Sequence, residues 1–271
     1  MRKVLSYSVC DLEPYINWLY FFHAWNMTGK PEEAKERLRK EALLMLDELN
    51  EKYTVKGLFG LYDVNSDCDD LVFDKMRIPM LRQQKELSDG KPNLCLTDFI
   101  RPIDSGKKDR IGLFATSVDI RMETDYKDDP YKRMLVQTLA DRLAEATAEK
   151  MHEQVRKEYW GYAKDENLTM NELHLEKYQG IRPAVGYPSL PDTSINFIID
   201  EILNMKEIGI RLTDSGAMKP HASVSGFMFS HPKSFYFDLG KIGEDQLVDY
   251  AKRRCVPVEM IRRFLQSSLL K

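Results

Sequence analysis

The chain has 271 residues, 43% of them hydrophobic and 31% charged, with a formal net charge of −3. That length and apolar content allow a substantial buried core, and the slight acidity excludes a general nucleic-acid binder, which carries a basic excess. No run of about twenty apolar residues occurs, so no membrane-spanning helix is expected.

In chain order, the start MRKVLSYSVCDLEPY has no apolar leader-like run and meets acidic residues early, so a cytoplasmic protein is expected. Thr28 and Pro31 open a helix, with Glu32 and Glu33 in the first turn where the macrodipole favours them. Leu38, Ala42, Met45, Leu46 and Leu49 recur at helical spacing and predict an amphipathic helix over 31–52. GLFGLYDV (57–64) and LVF (71–73) flank a turn-rich stretch and predict a β-hairpin, and DRIGLFATSVDI (109–120) predicts a further strand. The longest helical pattern runs from Tyr131 to Tyr159, with Met134, Leu135, Leu139, Leu143 and Ala146 on one face. A helix over 193–208, strands at 224–229 and 235–239, and helices at 244–253 and 257–268 complete the list. Strands and helices do not alternate as βαβ units, so the expected fold is α+β around an antiparallel sheet, as a single domain over 1–271.

DVNSDCDD places Asp63, Asn65 and Asp67 at alternate positions, as in a calcium loop. Cys68 stands where that loop needs glycine and Asp74 where it needs glutamate, so a hairpin turn is the better reading. Gly57 and Gly60 make no dinucleotide fingerprint, and no P-loop or nucleophile elbow is present. Cys10, Cys68, Cys95 and Cys255 form no CxxC pair and read as reduced thiols, buried small hydrophobes rather than a metal site or disulfide framework. His23, His152, His174, His221 and His231 have no zinc-ligand spacing, and no metal is expected.

Asp141, Glu145 and Glu149 fall at i, i+4 and i+8 on the long helix, three carboxylates along one face. The spacing reads first as a solvated face relieved by Arg142, Lys150 and Arg156, and alternatively as an anionic wall for a cationic ligand. The stretch GIRPAVGYPSLPD (180–192) carries Pro183, Pro188 and Pro191, which stiffen it and push Arg182, Tyr187 and Leu190 toward extended geometry. Its backbone groups must find partners outside regular structure. Arg182 there is either a structural arginine bonding loop carbonyls or a planar fork for a ligand carboxylate.

IRPAVGYPSLPD (181–192), followed by ASVSGFMFSHPKSFYFDLGKIGEDQLVDYAKRR (222–254), resembles the reactivation (activation) domain of cobalamin-dependent methionine synthase. The likeness extends to INWLYFFHAW (16–25), LRQQ (81–84), LADRLAEATAEKMHEQVRKEYWGYAKDENL (139–168) and KYQGIRP (177–183), in order along nearly the whole chain. The resemblance implies a C-shaped α+β fold with a twisted antiparallel sheet, a site for S-adenosylmethionine, and cobalamin reached only through a partner protein. It implies two partners, the cobalamin-binding module of methionine synthase and a flavodoxin-type electron donor, and neither nucleic acid nor membrane. The activity implied is reductive methylation of cob(II)alamin to methylcobalamin in methionine biosynthesis, with no independent catalysis by this chain.

On that resemblance Arg182 takes the ligand carboxylate, and backbone near Ala184 and Gly186 takes the adenine or ribose. Tyr187, Tyr236 and Phe237 wall the groove, and Asp141, Glu145 and Glu176 favour its cationic end. Asn17 stands where the family usually has an aspartate that contacts the ligand. After GYP, Leu190, Pro191, Asp192 and Thr193 omit the cysteine and histidine typical of the family. No DxHxxG motif is present to supply a lower cobalt ligand. Met1 and the compact ends point to a free-standing reactivation protein. Two other readings stay open: a sensor or interaction module that binds S-adenosylmethionine without methyl transfer, kept in play by Asn17, and a reactivator of a different corrinoid methyltransferase.

Overall fold

The computed structural model describes residues 1–74, 76–85, 90 and 92–270. The chain opens with β1 (Arg2–Tyr7), a short helix α1 (Val9–Leu12) and α2 (Trp18–Ala24). None of these is among the predicted elements. β1 is mostly exposed along its length, so its residues carry no apolar alternation that could announce a strand. Its register comes from a partner: Arg2 to Tyr7 pair antiparallel with Gly60 to Val55.

α3 (Glu32–Lys52) follows within one residue of the predicted bounds and buries the five apolar residues read from the pattern, Leu38, Ala42, Met45, Leu46 and Leu49. β2 (Val55–Asp67) and β3 (Asp70–Val72) form the expected hairpin, with Cys68 taking the left-handed turn at φ 53°. The side chain of Asn65 is buried and donates to the carbonyls of Lys107 (2.8 Å) and Arg101 (3.1 Å), a loop-tying role. β4 (Arg77–Pro79) and β5 (Asp109–Ser117) complete this half.

α4 (Arg121–Thr124) leads to the long helix α5 (Pro130–Gln154). Asp129 caps it by accepting from the amides of Tyr131 and Lys132. A π-turn at Val155–Tyr159 finishes the predicted span. After α6 (Met170–His174) come α7 (Ile195–Leu203), the small hairpin of β6 (Arg211–Leu212) and β7 (Met218–Lys219), then β8 (Ser223–Met228). The helix predicted over 193–208 is interrupted at Asn204, whose φ of 53° closes α7 before a separate 3-10 turn.

The strand predicted at 235–239 does not form. Its alternation serves two neighbours instead of a ladder. Phe237 enters the core, Tyr236 turns to Arg182, and Leu239 donates its N–H to the Pro188 carbonyl at 3.1 Å. α8 (Glu244–Arg253) and α9 (Val258–Phe264) close the chain as expected, α9 entered through Pro257.

The main sheet runs β4-β3-β2-β5-β8, antiparallel throughout, with β1 beside the first half of β2. Both faces are covered. Phe59, Phe114, Val224 and Met228 join the core under α3 and α5, whereas Leu58, Leu113, Phe227 and Phe229 join a second core with α7 and α8. This alternation, two residues per repeat, accounts for the apolar runs in β2 and β5, which have no polar face. The architecture is the expected α+β fold on a curled antiparallel sheet.

Of the four cysteines, Cys95 alone is buried; Cys10, Cys68 and Cys255 are exposed, and all are free. The expectation of buried thiols therefore fails for three, each on a turn or helix end facing water. No helix among the described residues is long and apolar enough to cross a membrane. No group of metal-ligating side chains occurs among them either.

Candidate functional site

A groove of about 600 Å3 opens between α5, the residues just before α2, and the proline-rich segment 182–189, with Tyr236 to Asp238 as its far wall. That volume is ordinary for a small-molecule site. The proline-rich segment forms one side because it continues the sheet without being a full strand. Ile181 bridges Phe229 and Ala184 bridges Gly226 across the edge of β8. Pro183 accepts from Phe227 N–H (3.1 Å) and Val185 donates to the Ser225 carbonyl (2.9 Å). A Cβ on Gly226 would sit 2.1 Å from the Pro183 carbonyl oxygen, so glycine is what lets this segment lie so close.

Between those two bonded positions, Ala184 turns its own N–H the opposite way, as alternation on an antiparallel edge requires. That amide has no hydrogen-bond partner among the described residues, and Ala184 lines the groove. Gly186 (φ 89°) makes the sharp turn beyond, its N–H donating to the Leu190 carbonyl at 2.8 Å. The turn presents Tyr187, whose hydroxyl donates to Glu145 across the groove (2.6 Å).

α5 supplies the opposite wall. Glu149, 9% exposed at its side chain, accepts a bidentate pair from Arg182, with Nη1 at 3.0 Å and Nη2 at 2.6 Å. Arg182 Nη1 also donates to the Tyr178 hydroxyl at 2.8 Å. Glu149 holds the guanidinium pKa well above its ordinary value, against the opposing effect of burial. The edge bearing Nε–H has no partner among the described residues, while Arg182 lines the groove. Arg182 thus bonds a carboxylate of the protein rather than loop carbonyls, and its Nε–H makes no hydrogen bond among the described residues.

This corrects the reading of the carboxylate stripe as solvated. Glu149 is buried and paired, Glu145 is half-buried at the groove, and Asp141 retains 40% exposure beside His221 (3.6 Å). Nor does Arg156 relieve the stripe. It is wholly buried and paired with Glu166 at 2.6 Å.

Glu176 lines the groove near Arg182 and follows α6 in the left-handed region at φ 56°. Partial burial raises its carboxyl above the usual glutamate range, with Arg182 opposing and Glu149 reinforcing the rise. Asn17 also lines the groove, where its Oδ1 caps α2 by accepting from Leu19 N–H at 3.2 Å. The Tyr236 hydroxyl accepts from the Arg182 main-chain N–H at 2.9 Å, and Phe237 lines the groove next in the chain. Of the ten residues singled out in the sequence, Asn17, Glu145, Glu176, Arg182, Ala184, Tyr187, Tyr236 and Phe237 meet in this groove. Asp141 and Gly186 are not among its lining residues. The sequence did not single out Tyr15, Tyr20, His174 or Ser189, although Tyr20 and Ser189 lie inside the stretches that carry the resemblance, nor Glu149 as a site residue although its spacing was visible.

The groove has the size of a small-molecule site and sets a guanidinium, carboxylates and aromatic rings around one space. The chain belongs to the family of activation domains of B12-dependent methionine synthase: the family model described as "Vitamin B12 dependent methionine synthase, activation domain" matches residues 8–255. A solved structure described as the MetH reactivation domain bound to AdoHcy is similar to it, with 40% identity and a TM-score of 0.94. The match covers 100% of this chain and 91% of that one.

Proposed function

We propose that this chain is an S-adenosylmethionine-binding reactivation component of a cobalamin-dependent methionine synthase. In this reading residues 1–271 act as one ligand-binding domain. The open Nε edge of Arg182, held in place by the Glu149 pair behind it, is the observation that carries the reading. A ligand carboxylate fits that edge bidentately, as a guanidinium fork prefers. The ligand ammonium then falls toward Glu176 and Glu145, with Asn17 accepting or donating at neutral charge. The unpaired amide of Ala184 offers a donor to the adenine edge, and Tyr187 and Tyr236 flank the ring. Phe237 backs that wall, and Gly186 shapes the turn that presents it. The stiffness of the proline-rich segment limits the ordering entropy lost on binding. The 40% identical domain, which was solved with AdoHcy, supports the same ligand class here.

When a partner's cobalamin-binding module docks over the groove, the corrin supplies the bond-making chemistry. Once reduced by one electron from a flavodoxin-type donor, that corrin would accept the methyl group from the sulfonium, leaving S-adenosylhomocysteine in the groove. This chain holds the methyl donor, excludes water and presents the docking face. The test is to mix a cobalamin-binding module in its cob(II)alamin state with an electron donor and S-adenosylmethionine. Conversion to the methylcobalamin spectrum that depends on adding this chain supports the proposal. Conversion at the same rate without the chain, or none with it, counts against it.

A further inference from the structure

Arg182 is held from inside the protein. Its main-chain N–H donates to the Tyr236 hydroxyl (2.9 Å), its Nη1 donates to the Tyr178 hydroxyl (2.8 Å), and the two hydroxyls lie 3.4 Å apart. These links close a ring that ties the side chain of Arg182 to its own backbone.

A second layer lies behind Tyr178, which is 7% exposed. The guanidinium carbon of Arg156 sits 4.2 Å from the centroid of the Tyr178 ring, a cation–π stack away from water. Glu166 holds Arg156 bidentately, at 2.9 Å from Nε and 2.6 Å from Nη2. The ring of His152 meets Tyr178 edge-on at 5.1 Å, with Nδ1 3.5 Å from Arg182 Nη1. Arg156 rides on the π-turn Val155–Tyr159 that ends α5. Turns of this width inside helices are frequent at functional sites.

None of Tyr178, Arg156, Glu166 or His152 lines the groove. Their shared consequence is the rotamer of Arg182. We propose that Tyr178 and Arg156 are positioning residues: they fix Arg182 so that one edge stays on Glu149 while the Nε edge is offered to a ligand carboxylate. The inference rests on the S-adenosyl reading of the groove. A long side chain fixed before binding loses less freedom when the ligand arrives, so the gain is confined to ligands that use that edge.

The confinement supplies the test. Tyr178→Phe removes one hydroxyl and keeps the stacked ring, so the fold is retained. The variant and the original chain are titrated with S-adenosylhomocysteine and with 5′-methylthioadenosine, which has the adenosine and thioether but no amino-acid end. Affinity for S-adenosylhomocysteine is expected to fall about three- to tenfold in the variant, with 5′-methylthioadenosine unchanged. Arg156→Lys, which keeps charge and loses the planar stack, is expected to give the same pattern. Equal losses for both molecules would mark a merely structural role, and that result or undiminished S-adenosylhomocysteine binding overturns the proposal. If the original chain binds neither molecule, the S-adenosyl reading falls and takes the proposal with it.

Discussion

Replacing Arg182 with methionine is the perturbation whose outcome the structure constrains most tightly. The Arg182–Glu149 pair is bidentate, with side-chain exposures of 15% and 9%, so removing the cation strands a buried carboxylate. Breaking such a pair costs about 3–5 kcal/mol, and the partial exposure of Arg182 argues for the low end. About 3 kcal/mol corresponds to a fall of roughly 5 °C in Tm for a domain of 271 residues. Glu149→Met strands the cation instead and should cost a similar amount. The double variant, Arg182→Met with Glu149→Met, leaves no stranded charge and should lose clearly less than the sum of the singles. Ligand affinity behaves differently: two charged hydrogen bonds are worth about 3 kcal/mol, on the order of a hundredfold, and the double variant cannot regain them. Thermal unfolding by circular dichroism and calorimetric titration with S-adenosylmethionine read the two effects. Additive losses in Tm would refute the buried-pair argument, and full affinity in Arg182→Met would refute the open-edge argument.

Asn17→Asp should tighten S-adenosylmethionine binding several-fold and more at low salt, because the capping bond to Leu19 survives while a charge is added at the groove; titration at two ionic strengths with no gain would remove Asn17 from the site. Because burial raises the Glu176 carboxyl, acidification should weaken ligand binding through a titration above the ordinary glutamate range, and Glu176→Gln should abolish that step; a pH series of titrations with identical profiles would contradict it. His152 is wholly buried, and burial together with Arg156 and Arg182 lowers its pKa well below 6.5. Its folded-state pKa lies below the unfolded one, so its contribution is complete above about pH 6.5 and declines as pH falls, by at most about 1.4 kcal/mol per pH unit. Denaturant unfolding of the original chain and His152→Gln between pH 5 and 7.5 checks this, the variant being expected to show the shallower acid slope.

Much of the fold was legible because burial and periodicity coincide. α3 and α5 are long, and their apolar residues repeat on one face packed against the sheet. β2 and β5 read as strands without polar alternation because both sheet faces are covered. β1 was illegible since its partner, not its composition, makes it a strand, and the stretch 235–239 misled because its alternation points to two unrelated neighbours. In the site, Arg182 and the proline-rich support stand out by residue type alone. The contacts that give them meaning do not: Glu149 lies 33 residues from Arg182, and Tyr236 lies 54. Arg156 looks in sequence like any helix-surface cation, and the π-turn and Glu166 that bury it are tertiary facts.

The central claim is that the groove holds an S-adenosyl ligand, and calorimetric titration of the intact chain with S-adenosylmethionine tests it most directly. Saturable binding at one site per chain is expected, weakened about a hundredfold in Arg182→Met and competed by S-adenosylhomocysteine. Absence of binding to a folded chain, or binding that survives Arg182→Met undiminished, would contradict it.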